Sequence, residues 1–254
     1  MKIVTWNVNS IRMRMPRLLA WLAREQPDIV CLQETKVIDA DFPTSELLRA
    51  GYKSLFYGQK TYNGVAILYR DEATNIVRGL PNDDHTADKR VLSALINGIQ
   101  IINIYAPNGS EVSSPKYQYK LEWYQRLRGF MASLDPQTPV LLCGDFNVAP
   151  EDRDVWDVTQ WQDQVLFSEP EKAALESIVS WGFTDALRLH HPEAGIYTQW
   201  DYRGLAFPRG WGVRIDHILI SAPLISRCQD VMVDRQERKG EKPSDHAPVM
   251  AIFS

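Results

Sequence analysis

Short apolar runs recur along the whole chain, and Gly, Pro, Asn or Asp bounds most of them. KIVTW (2–6), DIVCLQ (28–33), GVAILYR (64–70), VLSALI (91–96), IQIINIY (99–105), PVLLCGD (139–145), VRIDHILIS (213–221) and PVMAIF (248–253) are rich in β-branched residues, and most are of strand length. Helical spacing falls between them. Leu18, Leu19, Trp21 and Leu22 follow Pro16, which suits a first helical turn, so a helix is predicted over Pro16 to Arg24. Tyr117 to Leu134 is the longest helical candidate. Ser168 and Glu171 form a capping box, which predicts a helix running to Trp181 and stopped by Gly182.

No low-complexity linker divides the chain, so residues 1–254 read as one α/β domain. The excess of strands over helices suits stacked sheets better than a doubly wound sheet. Segments 106–116 and 149–167 have no regular pattern, and loops of that length often carry function. TWNV (5–8) and DFNV (145–148) echo each other, as though two strand ends delivered an amide to similar places.

Composition adds limits. With 44% hydrophobic residues and eight Trp there is ample material for a large core. No apolar run approaches the ~18 residues of a membrane span, and the N-terminus turns polar at Asn7 before a signal-peptide core forms, so an intracellular, cytoplasmic protein is expected. Cys31, Cys143 and Cys228 lack metal or redox spacing and read as reduced, mostly buried thiols. A net charge of −4 gives no global footprint of a nucleic-acid binder. The sum hides clustering, because Arg12, Arg14 and Arg17 lie together and Arg203, Arg209 and Arg214 flank an aromatic loop. A carboxylate-lined metal pocket inside a basic rim gives the same balance, as do ordinary solvated faces.

Polar groups gather where the strands stop, the place where open sheets present ligands. Asn7 and Asn9 follow the first run, Gln33 and Glu34 the second; Tyr105 and Asn108 follow IQIIN, and Asp145 and Asn147 follow PVLLCG. Each alone is a turn residue by default; the repetition is the signal. Glu34, directly after a buried-type strand, suits a hard divalent cation, and no Cys/His spacing for zinc exists. The dipeptide Asp-His occurs twice. In VRIDHILIS, alternation puts His217 on the face of Ile215 and Leu219, a packed position, with Asp216 on the other face beside Arg214. His246 precedes Pro248 at a strand entrance, where its ring can face a cleft and an aspartate from the other pair can orient it. His85 reads as a loop residue, and His190 and His191 as a helix C-terminus.

Thr5-Trp6-Asn7-Val8-Asn9, Leu32-Gln33-Glu34-Thr35-Lys36, Tyr105-Ala106-Pro107-Asn108-Gly109, Gly144-Asp145-Phe146-Asn147-Val148, Arg214-Ile215-Asp216-His217 and Ser244-Asp245-His246-Ala247-Pro248 together resemble the ordered motifs of the exonuclease III family of abasic-site endonucleases. That family lies within the endonuclease/exonuclease/phosphatase superfamily. Six motifs in order, from first strand to last, make the resemblance specific. It implies a four-layer α-β-β-α sandwich, two mixed β-sheets packed face to face with helices outside. It also implies a hydrolase dependent on Mg²⁺ or Mn²⁺ that incises double-stranded DNA 5′ to abasic sites and trims or cleans 3′ ends, acting as a monomer without a membrane.

Residue by residue, the resemblance implies Glu34 as main metal ligand with Asn7 beside it and Asp245 near the ion. Asp145, held by Asn147, would orient or deprotonate the attacking water. Tyr105, Asn108 and His246 would contact the scissile phosphate, with Asp216 orienting His246. Asp145, Asn147 and His246 therefore count among both the catalytic and the metal-side residues. Gln199, Trp200, Val213 and Ile215 match the wall for a flipped abasic sugar, with Gln199 polar where an aromatic is expected. Arg12 and the 203–214 segment would supply backbone contacts and a wedge. Two alternatives stand beside this reading: a superfamily phosphatase or phosphodiesterase acting on small or lipid phosphates, and a non-catalytic nucleic-acid-binding relative. The intact Glu34, Asp145, Asn147, Asp216, Asp245 and His246 argue against the second.

Overall fold

The computed structural model describes residues 1–254. Its strands are β1 (Lys2–Asn7), β2 (Ile29–Gln33), β3 (Lys53–Tyr57), β4 (Val65–Tyr69), β5 (Ala73–Arg78), β6 (Val91–Ile96), β7 (Ile99–Tyr105), β8 (Val140–Asp145), β9 (Phe183–Asp185), β10 (Asp216–Ser221), β11 (Cys228–Val233) and β12 (Val249–Phe253). They form two six-stranded sheets, ordered β11-β12-β1-β2-β4-β3 and β5-β6-β7-β8-β10-β9. Each sheet is mixed: β1–β2 and β7–β8 are parallel, and every other pairing is antiparallel.

The two sheets share an inner core that includes Ile3, Cys31, Ile67, Ile101, Cys143, Ile218 and Val249. Burying each large aliphatic side chain contributes about 1.5–3 kcal/mol. The opposite faces are covered by helices. Leu18, Trp21 and Leu22 of α1 (Ile11–Glu25) pack on Trp6 and Val30 of the first sheet. Beyond α2 (Thr44–Arg49), the second sheet is covered by α3 (Pro115–Met131) and, after the single turn α4 (Val158–Trp161), by α5 (Glu169–Val179). The result is the expected helix–sheet–sheet–helix sandwich. Gln33 and Asn103 pin the sheets together inside this apolar core: Gln33 Nε2 donates to Asn103 Oδ1 at 2.7 Å, and Asn103 Nδ2 donates to the carbonyls of Leu32 and Ala66. All three cysteines are free and buried, and burial raises the Cys31 thiol well above its usual range. No helix is long and apolar enough to cross a membrane.

Three expectations are corrected. Helix α1 begins at Ile11 because the Ser10 hydroxyl accepts from the Met13 N–H, which leaves Pro16 inside the helix rather than in its first turn. The four strands absent from the apolar runs, β3, β5, β9 and β11, are the edges of the two sheets. Segment 149–167 contains α4 and a short 3-10 turn at Asp152–Asp154.

Candidate active site

The ladder registers bring the polar strand ends to one edge of the sandwich. Asn7 pairs with Gln33, Tyr105 with Asp145, and Asp145 with Asp216. The chain then turns sharply, with Glu34 and Asn147 both at φ 51°, a left-handed conformation uncommon outside glycine. Gly144 permits the close approach of β8 to β7, since a Cβ there would lie 1.9 Å from the Ile104 carbonyl oxygen. On the far side, Ser244 Oγ donates to the Asn7 carbonyl (2.6 Å), and Trp6 Nε1 donates to the His246 carbonyl (3.2 Å). These bonds fix the Asp245-His246 segment against β1.

Asn7 links the two sheets: its Nδ2 donates to Glu34 Oε1 and to Asp145 Oδ2, both at 2.9 Å. Asp145 Oδ1 accepts the Asn147 N–H at 2.9 Å, and its Oδ2 lies 3.8 Å from His246 Nε2. His246 Nδ1 is 2.8 Å from Asp216 Oδ2. Asn108 Nδ2 donates to Asn147 Oδ1 (3.2 Å), and Asn147 Nδ2 donates to the Ala106 carbonyl (2.9 Å). Asp245 accepts from Asn9 Nδ2 at 2.9 Å.

Electrostatics follow from this packing. Burial, assisted by the Asp216 charge and opposed by His246, pushes the Asp145 carboxyl up to about 7. Burial would lower His246, yet the Asp216 and Asp145 carboxylates outweigh it and push the imidazole up to about 10. At neutral pH His246 is therefore a cation that donates Nδ1–H to Asp216. Burial together with the Glu34 and Asp145 charges raises Tyr105 well above the usual phenol range, which keeps its hydroxyl protonated. For Asp245, the His246 charge and the Asn9 hydrogen bond outweigh burial and lower its carboxyl.

The raised His246 value has a measurable effect on stability. A base held above its ordinary 6.5 contributes stability that is complete below 6.5 and lost as pH rises through about 10. Thermal melts in EDTA will show His246→Asn less stable than wild type at about pH 6, with the difference closing toward about pH 10.

The donor set fits a hard divalent cation. Asp145, Asp216 and His246 bring polar side-chain atoms within 4.8 Å of one another; with His246 protonated the carboxylates are the donors, and Asp216 Oδ1 is buried without a hydrogen-bond partner. Glu34 is joined to this group through Asn7, and Asp245 adds a fourth carboxylate on the Asn9 side. The site thus departs in one respect from the expected metal side, which did not include Asp216. Lys36, in the Leu32–Lys36 motif, adds a cation to the site that the motif does not mark as functional. Its Nζ sits 2.7 Å from Glu34 Oε2 and 2.5 Å from Asn9 Oδ1.

The expected substrate wall is only partly present. Gln199 is half-buried, but Trp200, Val213 and Ile215 are fully buried. Val213 and Ile215 sit in a closed cluster with Ala149, Val155, Leu166 and Phe167, while Trp200 packs edge-on against Phe207. Arg12 is exposed on α1, and Arg14 reaches the Tyr202 hydroxyl and the Pro243 carbonyl. Arg214 does not share the face of Asp216. Residues 213–215 precede the regular strand, so Arg214 turns inward to Asp154, Asp185 and His217. Its guanidinium donates to His217 Nδ1 (2.9 Å), so His217 Nε2–H donates to the Val148 carbonyl (2.9 Å). Burial and the Arg214 charge lower the His217 value, which keeps this ring neutral and structural. A cavity of about 410 Å³ opens beside Tyr105 and Asn108, with Tyr62, Arg90, Lys116 and Tyr119 in its wall. Another of about 430 Å³, between α5 and β10, includes none of the strand-end residues.

Comparison with known proteins agrees with this geometry. Residues 4–246 match the endonuclease/exonuclease/phosphatase family. Exodeoxyribonuclease III of Haemophilus influenzae is 36% identical over 266 aligned residues, covering 100% of both chains. A 3′ phosphatase from Neisseria, solved bound to a product DNA hairpin, is 42% identical with a TM-score of 0.97, covering 100% of this chain and 99% of that one. An AP endonuclease from Archaeoglobus fulgidus is 43% identical, also at a TM-score of 0.97, with coverage of 100% and 99%. With a shared sandwich and full-length similarity to exodeoxyribonuclease III, the chain belongs to the endonuclease/exonuclease/phosphatase family, in its exonuclease III branch of abasic-site endonucleases.

Proposed function

We propose that this protein is a metal-dependent DNA repair nuclease that hydrolyses phosphodiesters 5′ to abasic sites and removes nucleotides or blocking groups from 3′ ends. The observation that carries the reading is the convergence of Glu34, Asp145, Asp216 and His246 from both sheets on one spot bordered by Tyr105 and Asn108. The relatives named as exodeoxyribonuclease III, 3′ phosphatase and AP endonuclease support the same chemistry. Residues 1–254 act here as one catalytic unit, a monomer working inside the cell where DNA lies.

In-line attack on phosphorus needs an activated water, neutralised phosphate oxygens and relief of charge on the leaving oxygen. Asp145, with a value near 7, is matched to accepting a proton from water at neutral pH. Its Oδ1 is fixed by the Asn147 N–H, which sets the direction of that acceptance. Protonated His246, steadied by Asp216, binds a non-bridging phosphate oxygen as a cation. The Tyr105 hydroxyl and the remaining Asn108 N–H donate to the same phosphate. Glu34, with Asn7 and Asp245 beside it and the Asp145 and Asp216 carboxylates, would hold Mg²⁺ or Mn²⁺, with cationic His246 left to the phosphate. When bound, such an ion supplies Lewis-acid stabilisation of phosphate and leaving-group charge. Arg12, Arg14, Lys116 and the exposed Tyr202 would contact the DNA backbone, with the exposed, apolar Leu205 as the wedge and half-buried Gln199 at the substrate wall.

The closed Val213–Ile215 cluster favours release of a 3′-phosphate, which leaves no sugar to house beyond the cut, as the activity needing least rearrangement. A duplex with one abasic analogue, a duplex with a recessed 3′ end and one with a 3′-phosphate test this in parallel. Metal-dependent cleavage of all three is expected, fastest at the 3′-phosphate. Turnover of small or lipid phosphoesters with all three DNAs untouched would sink it.

A further inference from the structure

Lys120 lies on α3, fully buried, yet it is outside the group that faces the phosphate. Its Nζ donates to the Asn147 carbonyl at 2.6 Å, to the Asn108 carbonyl at 3.1 Å and to the Glu171 carboxylate of α5. One ammonium thus ties the backbone of two loops whose side chains, Asn108 and Asn147, are themselves bonded to each other. One helical turn further on, the Tyr124 hydroxyl donates to the Phe146 carbonyl at 2.5 Å. The same face of α3 therefore grips consecutive carbonyls of the segment that follows Asp145. Glu171 is fixed in turn by the N–H groups of Leu166 and Ser168 and by the Ser168 hydroxyl.

Stability alone gives no reason for this arrangement. Burial lowers the Lys120 value against the opposing Glu171 charge, and replacing a buried ion pair by packed neutral groups is typically neutral or stabilising. What the pair uniquely supplies is a donor bonded to both loops at once. Asn147, at φ 51°, holds a strained conformation of the kind that persists only when its surroundings over-determine it.

We propose that Lys120 is a positioning residue for phosphodiester hydrolysis: through the Asn108 and Asn147 carbonyls it holds the phosphate-side Asn108 and the Asp145–Asn147 segment in register. This rests on the nuclease reading of the site. Misplacement on the ångström scale costs about 100-fold in rate. Lys120→Met is expected to lower kcat on the recessed 3′-end duplex by about 100-fold. KM for DNA, set by surface contacts such as Arg12, Arg14 and Tyr202 that Lys120 does not touch, should change by less than about threefold. Glu171→Gln is the contrasting variant. It removes the counter-charge but leaves the Lys120 amine two N–H groups for the two carbonyls, so its kcat should stay within about threefold of wild type even where its melting temperature falls. The double variant Lys120→Met/Glu171→Gln removes the isolated buried carboxylate. It should regain stability without regaining kcat, and it is the form to measure where the single Lys120 variant does not fold.

Three results would overturn the assignment: wild-type kcat in folded Lys120→Met, equal kcat losses in Lys120→Met and Glu171→Gln, or recovery of kcat together with stability in the double variant. A wild-type protein inert on DNA would overturn the nuclease reading and this proposal with it. An active wild type with an equally active Lys120 variant would overturn the proposal alone.

Discussion

Glu34→Gln will lower DNA hydrolysis by about 1000-fold while the protein keeps its fold. Glu34 lies just past β2, held at φ 51°, where its carboxylate accepts from Asn7 and pairs with Lys36 at 2.7 Å. Gln has the same length, so packing is preserved. It removes the one strand-end carboxylate contributed by β2, and its amide must either turn a donor toward the Asn7 amide or turn one toward Lys36. Both the attraction for a divalent cation and the alignment of Asn7 with Asp145 are weakened. Initial rates across a Mg²⁺ series, with circular dichroism melts on the same samples, test this. The account expects a loss that added Mg²⁺ only partly restores, on an unchanged melting curve. Near-normal turnover would reject Glu34 as a metal-side group.

Asp145→Asn will cost more, about 10³- to 10⁴-fold, because it removes the base and a charge together. The amide still accepts the Asn147 N–H, so the turn survives, but it cannot take a proton from water. Stability should move the other way. The folded carboxyl has a value near 7 against an ordinary 3.8, so its contribution to stability is present below 3.8 and lost as pH rises through 7. In EDTA the Asn variant will therefore gain on wild type as pH rises from about 4 to about 8. Activity would be lost where stability is gained, the trade expected of a strained site. A variant equally stable relative to wild type at both pH values would contradict the buried-acid account, and one that retains full activity would remove Asp145 from the chemistry.

The interior of this fold was legible in its sequence because both faces of the central strands are covered. Such strands read as continuous apolar runs, and all eight runs correspond to strands. KSLFY, ATNIVR, FTD and CQDVMV were not legible as strands. Each is an edge, short or partly exposed, and carries only a weak apolar signal. The strand-end polar groups could be read one by one because parallel pairs β1–β2 and β7–β8 must end on the same edge. What could not be read was set by distant packing. Lys120 and Glu171 meet 51 positions apart from two helices, and nothing in helical periodicity marks a lysine as buried. Arg214 looked like a neighbour of Asp216 until the irregular backbone at 213–215 turned it toward Asp154. The same irregularity buries Val213 and Ile215, which the family resemblance implies as part of an open wall.

The decisive experiment is hydrolysis of a labelled duplex with a recessed 3′ end by the wild-type protein, in Mg²⁺ and in EDTA. A metal-dependent nuclease will shorten the duplex stepwise from the 3′ end in Mg²⁺, stop in EDTA and resume when Mg²⁺ is returned in excess. Hydrolysis that continues in EDTA, or an intact duplex in both Mg²⁺ and Mn²⁺, would contradict it.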